Sequence, residues 1–134
     1  MGSRRRAREL AFKGLYGYAL REEEPEKIVL ELVRGEPQDV VDFALSLVKK
    51  AYENIRLIDE KIKNVLENWD FERLAETDRA ILRLAVSEFL FFPEIPPKVT
   101  IDEAIELSKQ YSTHDSSRFV NGVLDRIAKL EGLL

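Results

Sequence analysis

The stretch DRAILRLAVSEFLFF, residues 78–92, is the most informative about the fold, because its apolar side chains are spread almost all the way round a helix. Such a helix is buried either in the core of a protein or in a membrane. No apolar run in the chain approaches the roughly 20 residues that a membrane-spanning helix needs. The stretch therefore predicts a central buried helix that begins at Thr77. Prolines that cannot continue a helix follow it at Pro93, Pro96 and Pro97.

Helical periodicity recurs on both sides of this stretch, and no segment shows a sustained period of two that would indicate a β-strand. We expect Ser3 to cap a first helix that runs to about Arg21. Glycine and proline then predict two more helices, one from Pro25 to Gly35 and one that Pro37 opens.

Three further helices complete the predicted order. We expect Asp59 to cap a short helix that ends near Trp69. After the central helix, Thr100 and Glu103 should form a capping box, in which each side chain bonds the other's backbone N–H. A polar turn with the sequence STHDSS leads into the last helix. The chain is therefore predicted to be all-α, with six to seven helices in one compact domain over residues 1–134.

The charges are distributed unevenly along the chain. The formal net charge is −4, yet residues 1–22 contain six basic and two acidic side chains and so carry +4. The remaining 112 residues then carry −8. This polarity favours a partner with phosphates. A targeting segment is the weaker alternative, because Glu9 and Lys13 interrupt the apolar core that a signal peptide would need.

Four arginines within residues 4–8 lie at the N-terminus of the first helix, where the helix dipole repels cations. Arg5 and Arg8 share one stripe of that helix with Phe12 and Tyr16. Guanidinium groups beside aromatic rings suit single-stranded RNA, because arginine meets phosphate and rings stack on unpaired bases. The alternative is that both rings belong to the core and that the arginines only solvate a helix end.

The sequence offers little for catalysis or for metal binding. Cysteine is absent, which removes thiolate nucleophiles and cysteine-based zinc sites. The only histidine, His114, lies in the polar turn without a second imidazole. Neither a glycine-rich phosphate loop nor a Ser–His–Asp constellation can be assembled. We therefore expect a protein that is not an enzyme and has no cofactor and no metal.

Four segments, in order and over nearly the whole chain, carry a resemblance: RRRARELAFKGLY (4–16), DRAILRLAVSEFLF (78–91), IPPKVTIDEAIELSKQYS (95–112) and FVNGVLDRIA (119–128). Together they resemble the NusB family of transcription antitermination factors. The resemblance implies an all-helical fold of two small helical subdomains. It also implies that a cytoplasmic protein binds boxA RNA as a heterodimer with NusE, a small-subunit ribosomal protein. This complex would join the RNA polymerase antitermination complex, notably during ribosomal RNA synthesis.

The resemblance assigns roles to individual residues. Six positions match the family's RNA surface on the first and last helices: Arg4, Arg5, Arg8, Tyr16, Asp115 and Phe119. Two positions fall where the family presents acids to NusE: Glu72 and Asp78. Whether the free protein also forms a homodimer stays open.

Three residues within helices call for a structural interpretation. Gly14 shares a stripe with Ala7 and Ala11, which would let another helix pack closely. Arg83 lies in the apolar central helix and needs an acidic or carbonyl partner, because an unpaired buried charge is too costly. Glycine inside a helix lowers the stability of that helix by about 1 kcal/mol relative to alanine. We therefore expect Gly122 to have a structural reason, which is to permit close packing of the last helix.

Two alternative functions remain. RNA cytosine methyltransferases carry a similar helical domain, but they also need a cofactor domain and catalytic cysteines, which these 134 residues lack. The other alternative is a protein-interaction scaffold that uses its acidic part to dock on basic ribosomal or polymerase surfaces. The RNA-binding and scaffold interpretations differ in whether the N-terminal arginines matter for RNA.

Overall fold

The computed structural model describes residues 2–66 and 70–134. Within these residues the chain forms seven α-helices and a short 3₁₀ helix, with no β-strand. The helices are α1 (Gly2–Arg21), α2 (Pro25–Leu32), α3 (Gln38–Glu53), α4 (Ile55–Val65), α5 (Glu76–Phe91), α6 (Pro97–Tyr111) and α7 (His114–Leu130), and the 3₁₀ helix is Phe71–Arg73. The all-α prediction is confirmed. None of the described helices is both long enough and apolar enough to cross a membrane.

The helix α5 lies at the centre, as its sequence predicts. Every residue from 80 to 89 is buried. Helices α4, α6 and α7 pack around α5, while α1 and α3 cover another side of it. The first three helices also pack against one another, so the fold consists of two small helical groups. Buried apolar side chains from all seven described helices join these groups in one core.

The glycine face of α1 receives α2, which confirms the close packing predicted at Gly14. A Cβ atom on Gly14 would lie 2.6 Å from Cγ2 of Val29, and one on Gly17 would lie 2.7 Å from Cδ1 of Ile28. Carbon atoms that are not bonded do not approach so closely, so a Cβ at either position would force a side chain of α2 to shift, and at Gly14 it would also crowd the Pro25 backbone oxygen at 3.1 Å. The corresponding prediction for Gly122 is wrong, since no neighbouring atom lies within 4 Å of its potential Cβ position.

The capping box predicted at Thr100 and Glu103 is wrong. Helix α6 begins at Pro97, so both residues lie inside it and their side chains bond other helices. Proline at a first helical position has a suitable φ and lacks the N–H that a cap would satisfy. The start at Ser3 also moves, because α1 already includes Gly2.

Asp59 is not a helix cap either. It lies inside α4, which follows α3 after the single residue Asn54. Its carboxylate accepts hydrogen bonds from Nε and Nη2 of Arg83, at 2.9 and 3.0 Å. This ion pair confirms that Arg83 has an acidic partner, and it ties α4 to α5. Helix α4 ends at Val65, and the predicted end near Trp69 lies outside the described residues.

Candidate nucleic-acid interface

Arg4 and Arg5 lie exposed at the N-terminal end of α1. The Arg5 side chain is 65% exposed and donates from Nε and Nη2 to Glu103 of α6, at 3.0 and 2.8 Å. These hydrogen bonds hold the pKa of Glu103 below its usual value, although partial burial opposes them. The Arg4 guanidinium lies 4.0 Å from the ring centroid of Phe43 in α3. Both guanidinium groups are therefore placed where a phosphate could reach them.

Arg8 has a different environment, which does not match its predicted role as a phosphate contact. It is only 4% exposed, and its Nε and Nη2 donate to Glu88 of α5 at 2.7 and 3.0 Å. The Thr100 hydroxyl donates to the same carboxylate at 2.8 Å. The stripe that carries Arg8 and Phe12 faces α5 and α6 instead of solvent. Arg8 is therefore committed to a buried ion pair that joins α1 to the central helix.

The aromatic residues of this stripe divide between core and surface. Phe12 is 2% exposed, which agrees with the alternative that it belongs to the core. Its ring centroid lies 6.0 Å from that of Tyr16 and 4.9 Å from that of Tyr111. Tyr16 is only half-buried, so part of its surface remains open for a stacking contact.

Glu9 lies in a hydrogen-bonded cluster that the sequence did not predict. Glu9 accepts hydrogen bonds from the Tyr111 hydroxyl, from Arg6 at 2.6 Å and from Gln110 at 2.9 Å. Burial raises the pKa of Glu9, but the bonds from Tyr111 and Arg6 outweigh burial and leave it below its usual value. Arg6 also binds Glu36 at 2.8 Å. The i,i+3 spacing of Arg6 and Glu9 was visible in the sequence, whereas the contacts with α6 were not.

Burial and the neighbouring Glu9 carboxylate raise the pKa of Tyr111 to about 12. The phenol therefore remains a hydrogen-bond donor at neutral pH. Tyr111 is also the last residue of α6, just before the turn that leads into α7. It thus connects the α1 part of the candidate interface with the part at the start of α7.

Asp115 and Phe119 line an open pocket of about 270 Å³ beside the first turns of α7. Asp78 of α5 lines the same pocket and accepts hydrogen bonds from Ser112 and Ser116, at 3.3 and 3.2 Å. Burial raises the pKa of Asp78, although both hydroxyl groups act in the opposite direction. The structure therefore brings the predicted RNA residues of α7 together with a predicted NusE residue, which the sequence did not reveal.

Glu72 occupies the 3₁₀ helix just before α5. Its side chain is 70% exposed, and its carboxylate lies 4.0 Å from Nη1 of Arg79. Arg79 also binds Glu76 at 2.9 Å. Glu72 and Asp78 thus lie at the same end of α5. The Glu72 side chain is in solvent, and that of Asp78 is in the pocket wall.

The structure shows nothing that would hold a metal within residues 2–66 and 70–134. No group of three or more histidine, aspartate or glutamate side chains is suitably clustered there. His114 is exposed at the first position of α7.

Residues 5–129 match the sequence model of the NusB family. The chain belongs to the NusB family. The transcription antitermination protein NusB of Pseudothermotoga lettingae is 42% identical over 130 residues, which are 96% of this chain and 93% of that protein. The NusB of Chloroherpeton thalassium is 42% identical over 129 residues, and the match covers 92% of this chain and 60% of that longer protein.

Solved structures of NusB proteins have the same fold as this family member. The NusB of T. maritima is 44% identical and superposes with a TM-score of 0.89, over 94% of this chain and 90% of that one. A crystal structure of the antitermination factors NusB and NusE in complex with dsRNA gives a TM-score of 0.90 at 34% identity. That match covers 97% of this chain and 98% of the matched chain.

Proposed function

We propose that this protein is a cytoplasmic transcription antitermination factor. In this proposal it binds boxA RNA as a heterodimer with NusE and joins the RNA polymerase antitermination complex, notably on ribosomal RNA operons. The observation that carries the proposal is the exposed pair of arginines on α1 in a chain of the NusB family. Residues 1–134 would act as one RNA-binding domain.

Arg4 and Arg5 are the phosphate contacts in this proposal, because both are exposed and a surface ion pair is easily exchanged. The half-buried rings of Tyr16 and Phe119 would stack on unpaired bases. Asp115 is exposed in the first turn of α7, where its carboxylate could accept hydrogen bonds from base amino groups.

Arg8 takes a positioning role in place of a phosphate contact. Its buried bonds to Glu88 fix the rotation of α1 against α5. That rotation determines which way Arg4 and Arg5 point, because both precede Arg8 on the same helix by about one turn.

NusE would bind at the acidic end of α5, through Glu72 and Asp78. The 112 residues after residue 22 carry −8, which complements a basic ribosomal protein. Because Asp78 shares its pocket with Asp115 and Phe119, a bound partner would lie beside the RNA. This adjacency supports a heterodimer whose RNA affinity exceeds that of either protein alone.

The test is fluorescence anisotropy with a labelled boxA-like single-stranded RNA, measured with and without NusE over a series of salt concentrations. Scrambled RNA and a duplex of the same sequence test the selectivity. If two arginines meet phosphates, the slope of log K against log salt from this protein should be about −1.4. The Arg4→Ala/Arg5→Ala variant should flatten that slope and weaken RNA binding, because both lost contacts are to phosphates.

A matched variant, Lys27→Ala/Lys129→Ala, removes the same charge from exposed positions on α2 and α7. It should bind RNA like the wild type. Equal RNA binding by the wild type and the Arg4/Arg5 variant would contradict the proposed RNA surface. Tight binding of NusE without any selective RNA binding would favour the scaffold alternative.

A further inference from the structure

A row of aromatic and basic side chains leads from the start of α1 across α3 to the end of α5. The aromatic–basic row consists of Arg4, Phe43, Phe92, Phe91 and Lys50. Arg4 lies over Phe43, and the Phe43 and Phe92 rings meet edge to face with centroids 6.0 Å apart. Lys50 lies 5.8 Å from the Phe91 ring centroid. All three rings are half-buried, whereas both cations are exposed.

The backbone explains why these side chains form a row. Phe43 and Lys50 are seven residues apart on α3 and therefore share a face of that helix. Phe91 is the last residue of α5, and Phe92 follows it before the proline-rich turn. The end of α5 thus presents two adjacent rings beside the cation-bearing face of α3.

Two acidic residues near the row accept hydrogen bonds from groups of α3 itself. Asp39, one turn before Phe43, accepts a hydrogen bond from the Val40 backbone N–H at the start of α3. Asp42 accepts a bond from Gln38 at 2.8 Å and points about 100° away from Phe43 around the helix. Asp39, Asp42 and Glu94 are exposed nearby, but the groups that lie over the rings of the row are the two cations, Arg4 over Phe43 and Lys50 over Phe91.

We propose that the aromatic–basic row binds a few nucleotides of single-stranded RNA that flank the element held by α1 and α7. Phe91 and Phe92 stack on bases, and Lys50 and Arg4 contact phosphates. Arg4 belongs to both surfaces, so one strand can pass from the candidate interface onto the row. The inference therefore rests on the proposed function and extends the length of RNA that the protein holds.

The experiment compares a minimal boxA-like RNA with the same RNA extended by unstructured nucleotides, first at one end and then at the other. With NusE present, one of the extensions should tighten binding by the wild type by at least about fivefold, as one stacked base would. Phe91→Leu keeps an apolar side chain but removes the stacking ring, and Lys50→Gln removes the charge. Each variant should lose most of this gain and bind the minimal RNA like the wild type.

The matched control is Lys129→Gln, a lysine near the C-terminal end of α7 that is 64% exposed. It should retain the full gain from the extension. Thermal unfolding checks that each variant is folded. As a second measurement, extended RNA with 5-iodouridine in the extension should cross-link to Phe91 or Phe92 of the wild-type protein.

The outcomes separate this inference from the proposed function. If the minimal RNA binds but neither extension adds affinity, or both variants keep the gain, the row does not bind RNA and only this inference fails. If no RNA binds selectively even with NusE, both proposals fail. If Phe91→Leu weakens binding of NusE alone, the row is a protein contact and the inference is overturned.

Discussion

Arg5 and Arg8 are three residues apart on α1, and each forms two hydrogen bonds with a glutamate, yet the two ion pairs differ in exposure to water. The Arg5 side chain is 65% exposed, whereas that of Arg8 is 5% exposed. A surface pair competes with water and ions and contributes little to stability. A buried pair cannot be broken without leaving a charge in an apolar environment. The same contact is therefore exchangeable at Arg5 and structural at Arg8.

Under the proposed function, this difference in exposure determines which of the two arginines is available to an RNA phosphate. A phosphate can replace Glu103 at Arg5 because solvent already reaches that guanidinium. At Arg8 it would have to displace Glu88, whose side chain is 1% exposed and also accepts a bond from Thr100. Three of the predictions below test this contrast and the fourth tests the proposed NusE contact; they are given in order of decreasing effect.

Replacing Arg8 should destabilise the fold most. Arg8→Ala leaves Glu88 buried without its cation, and we expect a loss of about 3–5 kcal/mol in the free energy of unfolding. Urea denaturation measures this loss. The double variant Arg8→Met/Glu88→Met should recover most of it, because no buried charge remains unpaired. A loss in Arg8→Ala within about 1 kcal/mol would mean that water reaches the pair.

Replacing Arg5 should change RNA binding but not stability. In Arg5→Ala the slope of log K against log salt should become shallower by about 0.7, the contribution of one phosphate contact to a single strand. Anisotropy titrations and urea denaturation of the same preparation provide both values. Unchanged salt dependence together with lower stability would reverse the roles assigned to Arg5 and Arg8.

Removing the acidic partner of Arg5 should strengthen RNA binding. In Glu103→Gln the guanidinium no longer has to leave a carboxylate, and we expect roughly a two- to fivefold gain in RNA affinity. The control is Glu106→Gln on the same helix, which removes equal charge from a side chain that pairs with Lys109 at 3.8 Å. Weaker RNA binding by Glu103→Gln would show that Glu103 positions Arg5 for RNA.

Binding of NusE should weaken modestly as the pH falls, because of Asp78. Burial raises the pKa of Asp78 above the ordinary value of 3.8, so this carboxylate is protonated sooner than an exposed one. A cation of NusE would lower that pKa in the complex, so protonation opposes binding. Calorimetry at decreasing pH, toward the raised pKa of Asp78, should show the loss, and Asp78→Asn should reduce it. Equal pH dependence in both proteins would contradict a contact at Asp78.

The pH dependence of stability that Asp78 contributes has the opposite sign to that of Glu103. A raised folded-state pKa means that stability from the protonated Asp78 is present at low pH and is lost as the pH rises through that pKa. The lowered pKa of Glu103 means that its stabilisation is present above the unfolded-state pKa and is lost as the pH falls.

Periodicity and burial rules predicted the parts of the fold that depend on local pattern. The apolar stretch within α5 required a central helix, and Arg83 within it required an acidic or carbonyl partner, which is Asp59. The rule could not name that acid, because it lies 24 residues away on another helix. The small face of α1 likewise predicted close packing at Gly14 without identifying α2.

Predictions from local sequence pattern were wrong where side chains form hydrogen bonds with other helices. Thr100 and Glu103 match a capping box, yet they bond Glu88 and Arg5, which lie 12 and 98 residues away in sequence. The stripe with Arg5 and Arg8 contained both charges and rings, so a helical wheel could not decide which part faces the core. The burial of Arg8 follows from the packing of α1 against α5, which places Arg8 beside Glu88.

The central claim is that Arg5 exchanges its glutamate for RNA phosphate while Arg8 keeps its own. NMR of the arginine Nε–Hε groups in ¹⁵N-labelled protein, titrated with boxA RNA and NusE, tests it most directly. Arg5→Lys and Arg8→Lys variants assign the signals. The Arg4 and Arg5 signals should shift on addition of RNA, while that of Arg8 stays in place. A shift of the Arg8 signal as large as that of Arg5 would contradict the claim.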